Sequence, residues 1–311
     1  GLNSAVRAPS LQPSDLLQKW RRMKYLNAFV AGLLITPLCL AKPETDTSES
    51  AKFAELEKKH GGSSIGVATF DVARNKRIEY HGQERFLMCS TFKVLAVAAI
   101  LKRVDENKEK LDRFVPYGEK QLLEYAPVTR AHVKEGGMTL EALCAAAISQ
   151  SDNTAANLLL EAIGGPKGVT ELARALGDDF TRLDRMEPEL NSATEGDERD
   201  TTTPAAICRD LERLLTSDFL SQTSRTRLEG WMQANETGPK LIRASVPADW
   251  KAGDKTGRSG KGATNDIAIL RPPSGGPVFL AIYTIDPAGS SEEREKLVAD
   301  AAKAALDALG K

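Results

Sequence analysis

The sequence is poor in the residues that most often announce chemistry. It has three histidines, His60, His81 and His132, and four cysteines, Cys39, Cys89, Cys144 and Cys208. None forms a CxxC pair or stands at metal-ligand spacing, which leaves no zinc site of a familiar kind and no disulfide framework. No serine lies in GxSxG, so a Ser-His-Asp hydrolase fits poorly. A charge excess is also lacking: 42 basic residues face 43 acidic ones, and no run of lysine or arginine forms an electrostatic stripe. That excludes nucleic acid as a partner. There is no internal repeat and no low-complexity segment. The 311 residues are enough for one large domain or two packed lobes.

The one long apolar run, Leu26 to Ala41, follows Lys19, Arg21, Arg22 and Lys24, is broken by Pro37 and ends in small residues. A membrane span needs about 20 apolar residues, so the run reads instead as a secretory signal over 23–41, cleaved after Ala41. Residues 1–22 read as an upstream extension. Thr36, Pro37 and Leu38 fit a lipidation site at Cys39 poorly, so no stable membrane anchor is expected. Cleavage would leave Cys89, Cys144 and Cys208, read as small buried thiols.

Beyond a polar linker, AKFAELEKKH has helical periodicity and stops at Gly61 and Gly62. SIGVATFDVA and KRIEYHG read as a hairpin with Arg74, Asn75 and Lys76 at its turn. From Ser90 to Gln233 the pattern is helical: the segment opened by CSTFK, then TLEALCAAAIS, NTAANLLLEAI, GVTELARAL, TPAAICRDLERLL and SQTSRTRLEGWMQ. One aperiodic stretch, Arg182 to Thr203, interrupts them, and loops of that length tend to be functional or disordered. Strands return as DWKAGDKTG, ATNDIAILRP and PVFLAIYTID, and EEREKLVADAAKAALDAL closes the chain as an amphipathic helix. The two β-containing ends are expected to join in one sheet, with the terminal helices on one face and a cleft against the helical middle.

Within CSTFK, Lys93 sits on the first turn of a helix that otherwise looks wholly buried. A buried ammonium needs partners, and Ser90, three residues earlier, lies on the same helix face. A serine hydroxyl is a weak nucleophile, and a desolvated lysine can accept its proton. The free N–H groups of a helix start would stabilise a negative oxygen nearby. A serine N-cap followed by a solvated lysine gives the same SxxK pattern, so the pattern needs company.

That company is SDN, Ser151 to Asn153, between two helices, and KTG, Lys255 to Gly257, on the strand after the helical segment. SxxK, SDN and KTG in this order are the set found in class A β-lactamases and penicillin-binding proteins. A fourth segment, RLDRMEPELN at 182–191, is similar to the class A Ω-loop, which penicillin-binding proteins lack in its deacylating form. The chain therefore resembles a class A serine β-lactamase from about Ser50 to its end.

The resemblance implies a two-lobe α/β fold of the serine β-lactamase and penicillin-binding-protein kind: a mainly antiparallel sheet flanked by helices, plus an all-helical lobe. Residues 42–88 and 234–311 would form the α/β lobe, and 89–233 the helical lobe with an Ω-loop at 182–200. It implies hydrolysis of penicillins and some cephalosporins, with antibiotic resistance as the outcome, by an exported monomer that uses no metal or cofactor. Ser90 would be the nucleophile, with Lys93 or Glu187 as its base. Ser151 would protonate the leaving nitrogen. Glu187 and Asn191 would hold the deacylating water, and the backbone N–H groups of Ser90 and Arg258 the oxyanion. Asn153 would bind the substrate's side-chain amide and orient Lys93, while Lys255 and Thr256, ahead of Gly257, would bind its carboxylate. Tyr125 would be an aromatic wall or a core residue. Arg185 and Asp200 would bridge the loop's neck, a link that matters only if buried.

Two departures stand out. The positions at which the family carries a carboxylate-binding arginine hold Thr264 and Leu241, which leaves Arg258 as the nearest cation, ahead of Arg243, Lys240 and Lys261. Cys89 matches a cysteine that is disulfide-bonded in some carbapenem-hydrolysing relatives, but its partner's position holds Ser259. A transpeptidase or carboxypeptidase, or a covalent β-lactam sensor, would share the acylation half of this chemistry.

Overall fold

The computed structural model describes residues 47–192 and 196–311. The signal segment, Cys39 and the 1–22 extension lie outside them. Among the described residues no helix is long and apolar enough to cross a membrane. The elements in chain order begin with α1 (Thr47–Lys59), β1 (Ser64–Asp71), β2 (Lys76–Tyr80), β3 (Phe86–Leu87), α2 (Phe92–Asp105), β4 (Phe114–Pro116) and α3 (Pro127–His132). Next come β5 (Gly137–Thr139), α4 (Leu140–Ser149), α5 (Asn153–Ala162), α6 (Pro166–Ala175), β6 (Thr201–Thr202), α7 (Pro204–Thr216) and α8 (Gln222–Gln233). The chain closes with β7 (Lys251–Arg258), β8 (Ala263–Arg271), β9 (Val278–Ile285) and α9 (Ser291–Ala308).

Each boundary has a local cause. Gly61, with φ +69°, stops α1 in a conformation that a side chain disfavours. Asn75, with φ +50°, turns the first hairpin, as short polar residues can. Thr139, Asp152, Thr203, Ser221 and Ser290 each accept an N–H of the helix they precede, and Pro166 and Pro204 occupy first helical positions.

The two β-containing ends join, as expected. The five-stranded sheet has the order β2-β1-β9-β8-β7, and every pairing is antiparallel. Ser64 pairs with Ile285 and Asp71 with Val278, so the first and last strands run side by side over their whole length. Alternate residues divide between two cores. Ile65, Val67, Leu280 and Ile282 face α1 and α9, where Phe53, Leu297 and Val298 pack on them. Phe70, Ile267, Phe279 and Tyr283 face the other way, into a cluster continuous with α2, α4, α5 and α7. The terminal helices α1 and α9 share one face, as expected. Because α7 covers the second face, both faces are apolar, and the strands read as near-continuous hydrophobic runs.

Helix α2 passes through the middle of the larger cluster, with Phe92 to Leu101 buried on every side. That is the pattern of a core helix rather than a surface one. Its N-terminal end lies against β7 and β8 and carries both Ser90 and Lys93 to the junction. No pattern in the sequence marks the strand pairs β3–β6 and β4–β5, each two or three residues long. Truncating the central core side chain, Leu95→Ala, is expected to cost about 2–5 kcal/mol, measured as a lowered urea midpoint at unchanged slope.

Candidate active site

Ser90 sits in a 3-10 turn, Cys89–Thr91, immediately before α2. Cys89 ahead of it has φ +47°, an uncommon conformation for a residue with a side chain. The neighbouring end of β7 presses on this turn. A side chain at Gly257 would come within 2.7 Å of Met88 O and 3.2 Å of Ser90 N, so only glycine lets the strand pass. This brings the KTG segment beside the backbone N–H of Ser90.

The cleft here has a volume of about 290 Å³. Of the residues expected at the site, Ser90, Ser151, Asn153 and Asn191 line it, as do Thr256, Gly257 and Arg258. Tyr125 lines it as well and is 51% exposed, so it is not a core residue. Lys93, Lys255 and Glu187 lie beneath, essentially without solvent exposure.

One expectation is corrected. Ser90 and Lys93 share a helix face, yet the hydrogen bonds of the Lys93 ammonium go to Ser151 O at 2.8 Å, Ser151 Oγ at 3.2 Å and Asn153 Oδ1 at 2.6 Å. Ser90 Oγ donates instead to Glu187 Oε1 at 3.3 Å. The reason is geometry: the Ser151 carbonyl, the Ser151 hydroxyl and the Asn153 amide oxygen surround Lys93 Nζ and take up its three N–H groups. Glu187 Oε1 lies 3.4 Å from Lys93 Nζ and links the two groups.

Lys255 Nζ reaches the same hydroxyl, Ser151 Oγ, at 3.0 Å. With both acceptor sites of that oxygen filled by lysine N–H groups, the Ser151 proton is left to point elsewhere, and the cleft is the open side. Ser151 is held in this pose with φ +56°. Two ammonium groups so close together are costly to bury. Desolvation pulls Lys93 below its ordinary pKa against the opposing pull of Glu187. Desolvation and then the charge of Lys93 bring Lys255 down to about 7.

Glu187 is clamped on three sides. Asn157 accepts its backbone N–H and donates to its carbonyl, both at 2.9 Å, and Asn191 Nδ2 donates to Oε2 at 2.7 Å. The neck of its loop is a buried bridge. Arg185 Nε meets Asp200 Oδ2 at 2.5 Å, with Asp200 fully buried and also accepting the N–H groups of Asp184 and Arg185. Asp200 O in turn accepts Met88 N at 2.9 Å, tying the loop to the turn that carries Ser90.

Several contributors escaped the sequence reading. Asn157 was accessible, since it lies one helical turn after Asn153 on α5. Asp152 was in view within SDN, but its work is hidden. It is fully buried, caps α5 and accepts Val128 N, Thr129 N and the Thr129 hydroxyl. Thr237, in an aperiodic link after α8, carried no signal at all. It lines the cleft, and donor logic fixes its hydroxyl. Asn235 Nδ2 gives its proton to Asp254 at 2.6 Å, so Asn235 Oδ1 must receive both the N–H and the O–H of Thr237. The 2.5 Å contact between Thr237 and Thr256 therefore takes its proton from Thr256.

The alternative cations divide clearly. Thr264 and Leu241 are buried. Arg243 is consumed by Asp254 and by the carbonyls of Met232 and Gln233. Arg258 alone among the expected cations lines the cleft. Cys89, Cys144 and Cys208 are buried free thiols, all pushed up by desolvation, and Ser259 at the family's pairing position turns its hydroxyl to Lys261 N and Ala263 N.

Comparison with known proteins agrees with this architecture. The family model described as the beta-lactamase enzyme family matches residues 49–309. Beta-lactamase OXY-2 of Klebsiella oxytoca is 42% identical over 290 residues, covering 93% of this chain and 98% of that relative. Beta-lactamase CTX-M-8 of Citrobacter amalonaticus is 43% identical over 287 residues, covering 92% and 97%. Among solved structures, an ancestral (GNCA) class A β-lactamase superposes with a TM-score of 0.81 at 52% identity, covering 84% of this chain and 99% of that one. The chain belongs to the β-lactamase enzyme family. Its branch is class A, the serine hydrolases that act on β-lactams.

The depressed Lys255 has a signed consequence. Between about pH 7 and the ordinary lysine value of about 10.4, the unfolded chain holds a proton that the folded site does not, so this group adds stability as pH rises through that window. The urea stability of the wild type should gain on that of Lys255→Met from pH 7 to pH 10. Parallel profiles would contradict the assignment.

Proposed function

We propose that this chain is an exported enzyme that opens the lactam amide of penicillins and of some cephalosporins through an acyl-enzyme on Ser90, and so confers β-lactam resistance. The observation that carries the reading is the single connected set of Ser90, Glu187, Lys93, Ser151 and Lys255, at hydrogen-bond or ion-pair distances, with Ser90 and Ser151 lining the cleft and the other three beneath it.

Ser90 Oγ attacks the lactam carbonyl carbon. The resting geometry favours Glu187 as the acceptor of the Ser90 proton, since it is the group to which the hydroxyl already donates, while Lys93 is engaged by Ser151 and Asn153. The developing oxyanion lies between the backbone N–H groups of Ser90 and Arg258, which the bare Gly257 allows to converge. As the C–N bond breaks, Ser151 gives its proton to the nitrogen and is resupplied by Lys93, which in turn takes the proton that Glu187 accepted from Ser90, leaving Glu187 a carboxylate again. A water held by Glu187 and Asn191 then loses a proton to Glu187 and attacks the ester carbonyl. The C–O bond to Ser90 breaks, and Ser90 recovers its proton.

Substrate is held at two ends. Asn153 receives the side-chain amide. Lys255, Thr256 and Arg258 receive the carboxylate, joined by Thr237, and a carboxylate arriving here turns the Thr256 proton away from Thr237 toward itself. The helical lobe (89–233) and the α/β lobe (42–88 with 234–311) each supply one side of the cleft. The enzyme acts as a monomer outside the cytoplasm, in the periplasm or beyond, after removal of 23–41, and needs no metal or cofactor.

The test is a time course with a chromogenic cephalosporin. The wild type should turn over far beyond one equivalent, whereas Glu187→Gln, left with Lys93 as the base for Ser90, should acylate more slowly, release about one equivalent and then turn over about 10²–10⁴-fold more slowly than the wild type, with the acyl adduct on Ser90 visible by mass spectrometry. A wild-type burst that stops at one equivalent would instead favour a penicillin-binding or sensor protein.

A further inference from the structure

Arg258 does not stand alone at the rim of the cleft. Its Nη1 donates to Glu295 Oε1 at 3.0 Å, and its Nη2 lies 3.4 Å from Thr237 O. Glu295 belongs to α9, on the opposite side of the sheet's edge from the helical lobe, and its side chain is only 17% exposed against 38% for Arg258. Its other oxygen, Oε2, lies 3.7 Å from Lys240 Nζ, which is 70% exposed. The three groups together keep a single net positive charge. Glu295 is thus the less mobile member of the cluster, and the arginine is tethered to it.

We propose that Glu295 is a positioning residue for anion recognition: it holds the Arg258 guanidinium across the mouth of the cleft, where Arg258 takes up the charge role that Thr264 and Leu241 cannot fill. A free arginine at the rim has many rotamers to lose when it clasps an anion, and that cost appears in the affinity. With one edge of the planar guanidinium fixed by Glu295 and Thr237 O, the remaining N–H groups face the cleft already ordered. The opposing effect, the negative charge of Glu295 repelling a substrate carboxylate, is weakened by Arg258 between them and Lys240 behind, and by screening at a solvent-facing rim. Ordering outweighs repulsion. The inference rests on the proposed lactam hydrolysis, because it assigns Arg258 to the substrate's carboxylate.

The experiment is steady-state kinetics with a carboxylate-bearing penicillin and its uncharged methyl ester, on the wild type and on Glu295→Ala, Glu295→Gln and Arg258→Ala, alone and combined. Glu295→Ala should raise KM for the acid about 3- to 10-fold, corresponding to the ordering of one long side chain, with kcat unchanged and the ester unaffected. Glu295→Gln keeps an oxygen for Nη1 and should recover part of the loss. In the Arg258→Ala background Glu295→Ala should do nothing further. An unchanged or lowered KM, an equal effect on the ester, or an undiminished effect without Arg258 would overturn the proposal. A wild type that fails to turn over either substrate would overturn the hydrolysis itself, before any variant is read.

Discussion

The site depends on a costly arrangement: two lysine ammonium groups, both without solvent exposure, converging on the hydroxyl of Ser151. Like charges at that separation are tolerated only if desolvation lowers their proton affinity and nearby carboxylates balance what charge remains. The fold supplies both. Glu187 lies against Lys93 from the loop side. Behind Lys255, Asp254 is held by Arg243 and Asn235. Asp266 beside it is pushed well above its ordinary pKa by burial and by Asp254. Much of the architecture around the cleft can be understood as the support this cluster of buried charges requires.

Rigidity follows from the same need. The turn carrying Ser90 is fixed by Gly257 on one side, by the Asp200 carbonyl on another and by Asn265, whose side chain donates to Leu87 O and Met88 O, on a third. Thr91 and Tyr283 share a buried hydroxyl contact at 2.9 Å that anchors the turn to β9. The positive φ values at Cys89, Ser151 and Asp200 fall within this framework, where surrounding contacts over-determine the backbone.

Long periodic segments were legible because periodicity is a property of the segment itself. Helices α4, α5 and α7 and strands β8 and β9 fall where their patterns predict, since apolar spacing alone defines them. The site was legible through SxxK, SDN and KTG, which are local in sequence. Hidden features were those that require two distant pieces. The two-residue pairing of Phe86–Leu87 with Thr201–Thr202 has no room for a pattern. Arg258 and Glu295 are 37 residues apart, and nothing in either segment points to the other. The hydroxyl direction at Thr256 depends on a relay that starts at Asp254 and passes through Asn235 and Thr237. Even the partial miss, Lys93 turned from Ser90 toward Ser151 and Asn153, arises because helix spacing says which groups can meet and not which acceptor wins.

The strand order carries a consequence for biosynthesis. Strand β9 lies between β1 and β8, so the hairpin made first has no partner on its inner edge until residues near 285 have emerged. At about 5–20 residues per second that interval is on the order of 10–40 s. During it the growing chain holds a hairpin that is marginal by itself and lacks the strands that would complete the sheet and lock the fold. The final strand therefore acts as the latch: the sheet closes only when β9 arrives between β1 and β8.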